Sequence, residues 1–263
     1  MRAMASTARR MALALLVLTG LPAALHAGET RFCNFLVLSL PFTASSPGRY
    51  CFVANMSTAM AFGSAIEIAA NDVTIDLNRF RLDGSLGGRG TRMIGIMGIG
   101  RKRVNVRNGT VSGFLHGIYF TAFGTKNVVV EDMRAEGNTA SGITVFGDNM
   151  IVRNCTVTDT GGSTAEGAFA FGIDAEGNHL QVIDNSVTHT FAAGVGGFAS
   201  GIQSESPDST LFNNRIFGVS GGGGQFGILC GTGGGTALIR DNAVIGATTP
   251  YLGCVPVGTT NFP

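Results

Sequence analysis

The chain has 263 residues, of which 44% are hydrophobic and 13% are charged, and its formal net charge at pH 7 is +1. Without its first 27 residues, which contain three of the 18 basic residues and none of the 17 acidic ones, the formal charge becomes −2. A general nucleic-acid-binding protein needs a basic surface to neutralise phosphates, so we exclude that class. Forty glycines and the absence of tryptophan indicate many tight turns around an apolar interior.

The first 27 residues have the layout of a secretory signal peptide. Three arginines precede an apolar run over 11–25, and Ala27 offers a small residue for cleavage before Gly28. The run is short for a bilayer and is interrupted by glycine and proline. We therefore expect a secreted or periplasmic bacterial protein without a membrane span, with an uncleaved anchor as the alternative.

All five cysteines follow the signal segment. In an oxidising compartment Cys33 can pair with Cys51, and Cys230 with Cys254, each bridge closing a short loop near one end of the chain. Cys155 is left over, at the start of a predicted strand, where we expect it to be buried. The sequence does not determine the connectivity, and none of the spacings indicates a zinc site.

Nearly the same phrase recurs along the chain, for example VRNGTV at 106–111 and VRNCTV at 152–157. Aligning the phrases on their polar position gives one column: Asn78, Asn108, Asp132, Asn154, Asp184, Asn213 and Asp241. A second column consists of isoleucines that mostly follow a glycine: Ile118, Ile143, Ile173, Ile202 and Ile228. The polar column advances by 22 to 30 residues per step, and self-similarity at such a period predicts a solenoid or a propeller.

Each repeat holds three short β-rich runs with glycine or Asn/Asp at the bends. A propeller blade needs four strands and about 40 residues, and a leucine-rich repeat needs a dense leucine pattern, so neither fits. The sequence therefore predicts an all-β parallel β-helix of about seven three-strand coils. Asn and Asp tolerate a left-handed backbone and can bond the turns above and below, so we interpret the polar column as structural rather than catalytic.

The segments SSPGRYCFVANMS (45–57) and AIEIAANDVTIDLNRFRLDG (65–84) resemble the start of bacterial secreted right-handed parallel β-helix proteins of the pectin-lyase-like superfamily. The sequence departs from that pattern at Arg79, where such proteins often have glycine. The resemblance covers about residues 35–248 and implies the fold, whereas the superfamily includes lyases, hydrolases, esterases, epimerases and phage adhesins. The expected organisation is a signal peptide over 1–27, an N-terminal cap segment over 28–65, the β-helix coils over 66–247 and a C-terminal cap over 248–263.

A group of carboxylates is predicted on one sheet. If Ile173 and Ile202 face the core, the alternate positions beside them face solvent, and these are Asp174, Glu176, Gln203 and Glu205. Coils stack about 4.8 Å apart, so Glu176 and Glu205 should be cross-strand neighbours. Facing like charges are destabilising, which leaves three interpretations of Asp174, Glu176 and Glu205: a Ca²⁺ site, a catalytic set, or a solvated acidic patch.

The surroundings of this group favour binding. Long loops lead into the same face, and loops beside a rigid sheet often carry binding residues. Aromatic rings in these loops could stack on sugars or could cap the coil below. We expect a polysaccharide or cell-surface glycan to contact Tyr119, Thr144, Gln203, Phe169, Phe171 and Phe198. The only cofactor expected is Ca²⁺, in the interpretation that makes the carboxylates a metal site.

Several enzyme signatures are absent from the sequence, among them an adjacent pair of aspartates and a GxSxG turn. We therefore favour a non-catalytic carbohydrate-binding or envelope protein. One alternative is a polysaccharide hydrolase or lyase that uses Asp174, Glu176 and Glu205. The other is a purely structural or adhesive solenoid, because a fold does not by itself specify an activity. The glycan and the oligomeric state stay open.

Overall fold

The computed structural model describes residues 32–165, 169–194, 196–206, 208–231 and 237–257. The predicted signal peptide, 1–27, lies outside the described residues, as do 28–31 of the N-terminal cap and 258–263 of the C-terminal cap. The regular secondary structure of the described residues is β-strand, apart from one 3-10 turn at Ser85–Gly87. None of its helices has the length and apolar character that a bilayer span requires.

The strands wind into a parallel β-helix with three faces. The first face is a nine-stranded parallel sheet to which each turn contributes one strand. Its strands are Phe42–Ala44, Phe62–Ile68, Arg92–Ile99, His116–Thr121, Ser141–Phe146, Ala170–Glu176, Phe198–Gln203, Gly224–Leu229 and Thr249–Leu252.

The second and third faces belong to one 16-stranded sheet. Two of its strands, Lys102–Ser112 and Lys126–Glu136, continue around the bend and so contribute to both faces. The other strands of the second face are Phe35–Val37, Gly48–Phe52, Val73–Asp76, Ile151–Arg153, Gln181–Ile183, Thr210–Phe212, Leu238–Arg240 and Val255–Pro256. The other strands of the third face are Met56–Ser57, Arg81–Asp83, Thr156–Gly161, Ser186–Phe191, Arg215–Ser220 and Ala243–Ile245.

The predicted fold class is confirmed, but the stack has more turns than the seven or so expected, since the first face has nine strands. The additional strands come from segments predicted as caps. Phe42–Ala44 pairs with Phe62–Ile68, and Thr249–Leu252 pairs with Gly224–Leu229. These outer turns lack the Asn/Asp and Gly-Ile columns, which explains why the repeat did not reveal them.

The polar column has the structural role predicted for it. All seven residues, from Asn78 to Asp241, have φ between 49° and 60°, so each lies at a left-handed bend. Where an Asn follows an Asp on the next coil, its amide can donate to the carboxylate. Asn154 Nδ2 lies 2.9 Å from Asp132 Oδ1, and Asn213 Nδ2 lies 2.6 Å from Asp184 Oδ1.

Arg79, where similar proteins often have glycine, directly follows Asn78 and also has a left-handed backbone. Its φ is 67°, its side chain is exposed, and its backbone N–H donates to Asn108 O at 2.7 Å. Glycine adopts this conformation without a steric penalty, which accounts for its preference at such a site.

Two further bend columns were not predicted. One comprises Asp72, Arg103, Asn127, Asn149, His179 and Asp208, and the other comprises Gly113, Gly137, Asp159, His189, Gly218 and Gly246, all with positive φ. Arg103 and His179 interrupt the Asn/Asp pattern of the first column, and Asp159 and His189 interrupt the glycines of the second. His189 Nδ1 lies 3.3 Å from Asp159 Oδ1, so this histidine pairs with the equivalent bend residue of a neighbouring coil.

A buried asparagine ladder runs inside the coil, one residue after the polar column. Asn185, Asn214 and Asn242 are at most 2% exposed. The backbone N–H of Asn214 donates to Asn242 Oδ1 at 2.9 Å, and Asn214 Nδ2 donates to Val182 O at 2.8 Å. These bonds satisfy backbone groups at a turn that the sheets leave unpaired.

Cys155 occupies the first place of this ladder. Its backbone N–H donates to Asn185 Oδ1 at 3.0 Å, and its Sγ lies 3.7 Å from Val130 O. Burial raises the pKa of the thiol to about 12, so Cys155 is a buried, unreactive thiol, as predicted. The two expected bridges, Cys33–Cys51 and Cys230–Cys254, are both present, with Cα–Cα distances of 5.8 and 4.9 Å.

Candidate functional site

The residues predicted to face outward form one row across the strands of the first face, which we call the outer row. Tyr119 pairs with Thr144, Thr144 with Asp174, and Asp174 with Gln203, each on the next coil. Ile173, which precedes Asp174 on the same strand, is fully buried in the core. The Gly-Ile column therefore determines which side chains face outward, as the alternation predicts.

Facing outward does not expose this row to solvent. Thr144 is 2% exposed, and Asp174 and Gln203 are each 6% exposed, so the prediction that Asp174 and Gln203 face solvent is wrong. The coils are only about 4.8 Å apart, so side chains in the same row pack against one another and leave little room for solvent. In this row Tyr119 precedes the buried residues and Leu229 follows them.

The structure brings the three predicted carboxylates together at different depths. Asp174 is buried, Glu176 is half-buried and Glu205 is exposed. Burial raises the pKa of Asp174 well above its usual value, and the negative charges of Glu176 and Glu205 raise it further. Burial and the charge of Glu205 also raise the pKa of Glu176, and a hydrogen bond from Gln203 opposes part of that rise.

Two oxygen atoms of this row lack a donor within the described residues: Asp174 Oδ1 and Gln203 Oε1. A buried acceptor without a hydrogen bond costs roughly 1 to 3 kcal/mol, so both atoms favour a donor such as a hydroxyl group or a carboxyl proton. In the same part of the chain, no group of three His, Cys, Asp or Glu side chains is arranged to hold a metal ion.

The burial of Asp174 leads to a testable prediction. Since its folded-state pKa is raised, the folded protein binds the proton more tightly than the unfolded chain. The stability gained from protonation is fully present below the unfolded-state pKa and is lost as pH rises through the folded-state pKa. We expect Asp174→Asn to raise the free energy of unfolding at pH 7 by roughly 1 to 3 kcal/mol, because it removes a buried charge.

Urea unfolding of both proteins at several pH values checks this prediction. The difference in stability should be largest at neutral pH and should shrink in acid, where Asp174 is protonated in both states. A variant that is less stable than the wild type at pH 7 would show that the ionised carboxylate is instead satisfied within the fold.

Four phenylalanines form a ring cluster beside the carboxylates. The ring of Phe198 lies 4.9 Å from Phe169, 5.5 Å from Phe171 and 5.9 Å from Phe226, each in an edge-on arrangement. Phe169 is 51% exposed, and the other three rings are half-buried. The predicted aromatic residues therefore form one partly exposed surface, in which Phe198 is the central ring.

A hydrogen-bonded chain on the same face was missed in the sequence. His116 Nδ1 and Ser141 Oγ are 2.7 Å apart, and Ser141 Oγ and Thr144 Oγ1 are also 2.7 Å apart. The ring of His116 stacks on Tyr119 with centroids 4.8 Å apart. Ser141 is only 1% exposed, so we interpret the His116–Ser141 hydrogen bond as holding the outer row in place and not as activating a nucleophile. Only the register between coils brings these residues together.

Comparison with known proteins agrees with the observed architecture. The family described as "Right handed beta helix region" matches residues 46–200 and, in an overlapping match, 94–244. The crystal structure of the Dettilon tailspike protein is similar, with a TM-score of 0.51 and 14% identity, over 86% of this chain and 58% of that one. The present chain thus spans less than two thirds of the tailspike chain, and the likeness concerns the fold. No curated protein matches the chain.

Proposed function

The chain belongs to the right-handed β-helix family, and from this premise we propose that it binds carbohydrate along the outer surface of its first face. The two disulfides persist in oxidising compartments, and this supports a place outside the cytoplasm. The proposed ligand is a polysaccharide or a cell-surface glycan, contacted without covalent chemistry.

The observation that carries this proposal is the combination of rings and acceptors on one rigid sheet. Phe171 lies on the same strand as Glu176, and Phe198 lies on the same strand as Gln203. A sugar ring has an apolar C–H face and hydroxyl donors around its edge, which match an aromatic surface and carboxylate oxygens respectively. Glu176 and Glu205 are the accessible acceptors, while Asp174 lies beneath them.

A second candidate function is polysaccharide hydrolysis. The specific observation in its favour is the raised pKa of Glu176 beside the exposed carboxylate of Glu205. A carboxyl group kept protonated can act as the general acid, and its ionised neighbour can act as the base or the nucleophile. In this candidate Asp174 is a positioning residue, since its burial separates it from a ligand.

Retention on immobilised polysaccharides tests the proposal, with acidic and neutral glycans in parallel. We expect Phe198→Ala to weaken retention roughly tenfold, because the loss of a buried phenylalanine contact is worth about 1.5 to 3 kcal/mol. The matched control is Phe62→Ala, which removes a 68%-exposed ring from the far end of the same face and should change retention less than twofold.

Reducing ends are measured in the same samples. Retention without release supports binding alone, whereas release that disappears in Glu176→Gln supports the hydrolase candidate. No retention on any glycan would contradict the proposal and leave a structural or adhesive solenoid.

A further inference from the structure

A pocket of about 580 Å³ opens at the corner between the first and second faces. Its walls include Lys102, Lys126, Phe123, Phe146, Asp148 and Glu176. Phe146 and Glu176 are register neighbours on the first face, so the pocket adjoins the carboxylate group directly. Glu176 therefore belongs both to the proposed glycan-binding surface and to this pocket.

The two lysines of the pocket are the only lysines in the whole chain. They are register neighbours on adjacent strands of the second face, about 4.8 Å apart along the stack. Within the described residues, neither ammonium group lies within ion-pair distance of a carboxylate, whereas Arg103 pairs with Asp72 and Arg153 with Glu131. Facing like charges destabilise adjacent strands, so an anion bound between the two ammonium groups would stabilise this pair.

A tight turn holds an aromatic ring at the edge of the pocket. Phe123 is fully exposed, and the preceding residue, Ala122, has a φ of 83°. Thr125 fixes the turn, since its hydroxyl donates to Thr121 O at 2.6 Å and its N–H donates to Ala122 O at 3.1 Å. The unfavourable backbone at Ala122 and the exposed ring are both costs that a ligand stacked on Phe123 would offset.

Two acidic residues, Asp148 and Glu176, also line the pocket. Asp148 accepts a hydrogen bond from Asn178 Nδ2 at 2.9 Å, and Glu176, two residues before Asn178, is half-buried. The pocket thus combines two cations, an aromatic ring and carboxylate acceptors. A neutral sugar has no negative charge to compensate the two lysines, and a simple anion has no apolar face to stack on the ring.

We infer that this pocket binds an acidic sugar residue, with Lys102 and Lys126 contacting its carboxylate or sulfate group, Phe123 stacking on its ring and Glu176 accepting from a hydroxyl. The inference rests on the proposed carbohydrate-binding function and specifies its ligand as an acidic glycan. Uronic acids and sulfated sugars share the required anion, and the experiment distinguishes between them.

Because the chain has only two lysines, reductive methylation with ¹³C-formaldehyde labels Lys102 and Lys126 and, besides them, only the amino terminus. The label preserves the positive charge. Oligosaccharides of uronic acid, sulfated sugars and neutral sugars of equal length are titrated against the labelled protein. We expect both lysine signals to shift with an uronate or a sulfated oligosaccharide and to stay unchanged with the neutral one.

Affinity measurements on variants accompany the titration. The double variant Lys102→Gln/Lys126→Gln should bind the acidic oligosaccharide roughly a hundredfold more weakly, since the loss of each charge-assisted hydrogen bond costs roughly tenfold in affinity. Its retention on a neutral glycan should be unchanged. The control Arg79→Gln removes an exposed positive charge elsewhere and should leave acidic-glycan affinity within twofold of the wild type.

Two results would overturn the inference while the proposed function stands. One is binding of acidic glycan with unshifted lysine signals, and the other is wild-type affinity in the double variant. Equal shifts with single-stranded DNA would also overturn it, since they would show attraction to any polyanion. Absence of binding to every glycan, with unshifted signals, would contradict both the inference and the proposed function.

Discussion

Replacement of Gly172 by alanine is expected to destabilise the protein by about 3 kcal/mol. A Cβ at Gly172 would lie 2.4 Å from Val187 Cγ1 and 2.5 Å from Gly201 O, and the second of these is a backbone atom that cannot rotate away. A backbone oxygen would lie similarly close at Gly117, Gly142, Gly201 and Gly227, which precede the other isoleucines of the column. The glycine is required because a side chain there would clash both with Val187 of the third face and with the backbone of the neighbouring strand on the first face.

Urea unfolding of the purified variant measures this effect, with Gly90→Ala as the matched control. A Cβ at Gly90 would meet only Thr164 Oγ1, at 3.4 Å, and this is an ordinary contact. The control should therefore lie within about 0.5 kcal/mol of the wild type. Equal stability of the two variants would mean that the coil expands at Gly172 without cost, and the explanation of the Gly-Ile column would be wrong.

Asn214→Ala is also expected to lower the free energy of unfolding of the protein by about 3 kcal/mol. Asn214 is fully buried, and its Oδ1 accepts from the N–H of Asn185 at 3.1 Å and from Asn185 Nδ2 at 3.0 Å. Alanine removes these acceptors as well as the donor to Val182 O, so several buried polar groups lose a partner at once. The loss should appear both in urea unfolding and as faster hydrogen exchange of the Asn185 amide.

The adjacent residue provides the control for this variant. Asn213→Ala removes one exposed hydrogen bond to Asp184 and places alanine at a φ of 52°, for which we expect a cost of about 1 kcal/mol. A larger effect at Asn213 than at Asn214 would show that the outer polar column, rather than the buried ladder, stabilises this edge of the coil.

The two functional proposals depend on different parts of one surface. The ring cluster around Phe198 would bind sugars of any charge, whereas the lysine pocket would select an acidic one. Glu176 links them, since it lies beside the row of Asp174 and Gln203 and also lines the pocket. Variants of the cluster and of the pocket should therefore separate affinity from charge selectivity.

The sequence by itself determined the repeat and the fold class. Each coil of the β-helix bends at an equivalent place, and the residue at that bend must adopt a left-handed backbone. Asn and Asp meet this requirement with similar chemistry, so the column from Asn78 to Asp241 was visible. The other two bend columns meet the same requirement with His, Arg, Gly and other residues, so they left no pattern.

Only the tertiary structure decided what the surface can do. Alternation along the strand correctly placed Asp174 and Gln203 on the outer side of the sheet, but their burial depends on which side chains the neighbouring coils carry. The lysine pocket depends on the same stacking. Lys102 and Lys126 lie on the second face and Glu176 on the first, and they meet because a corner of the coil brings distant segments together. Lys102 and Glu176 are far apart in the sequence, and sequence distance does not report distance across stacked coils.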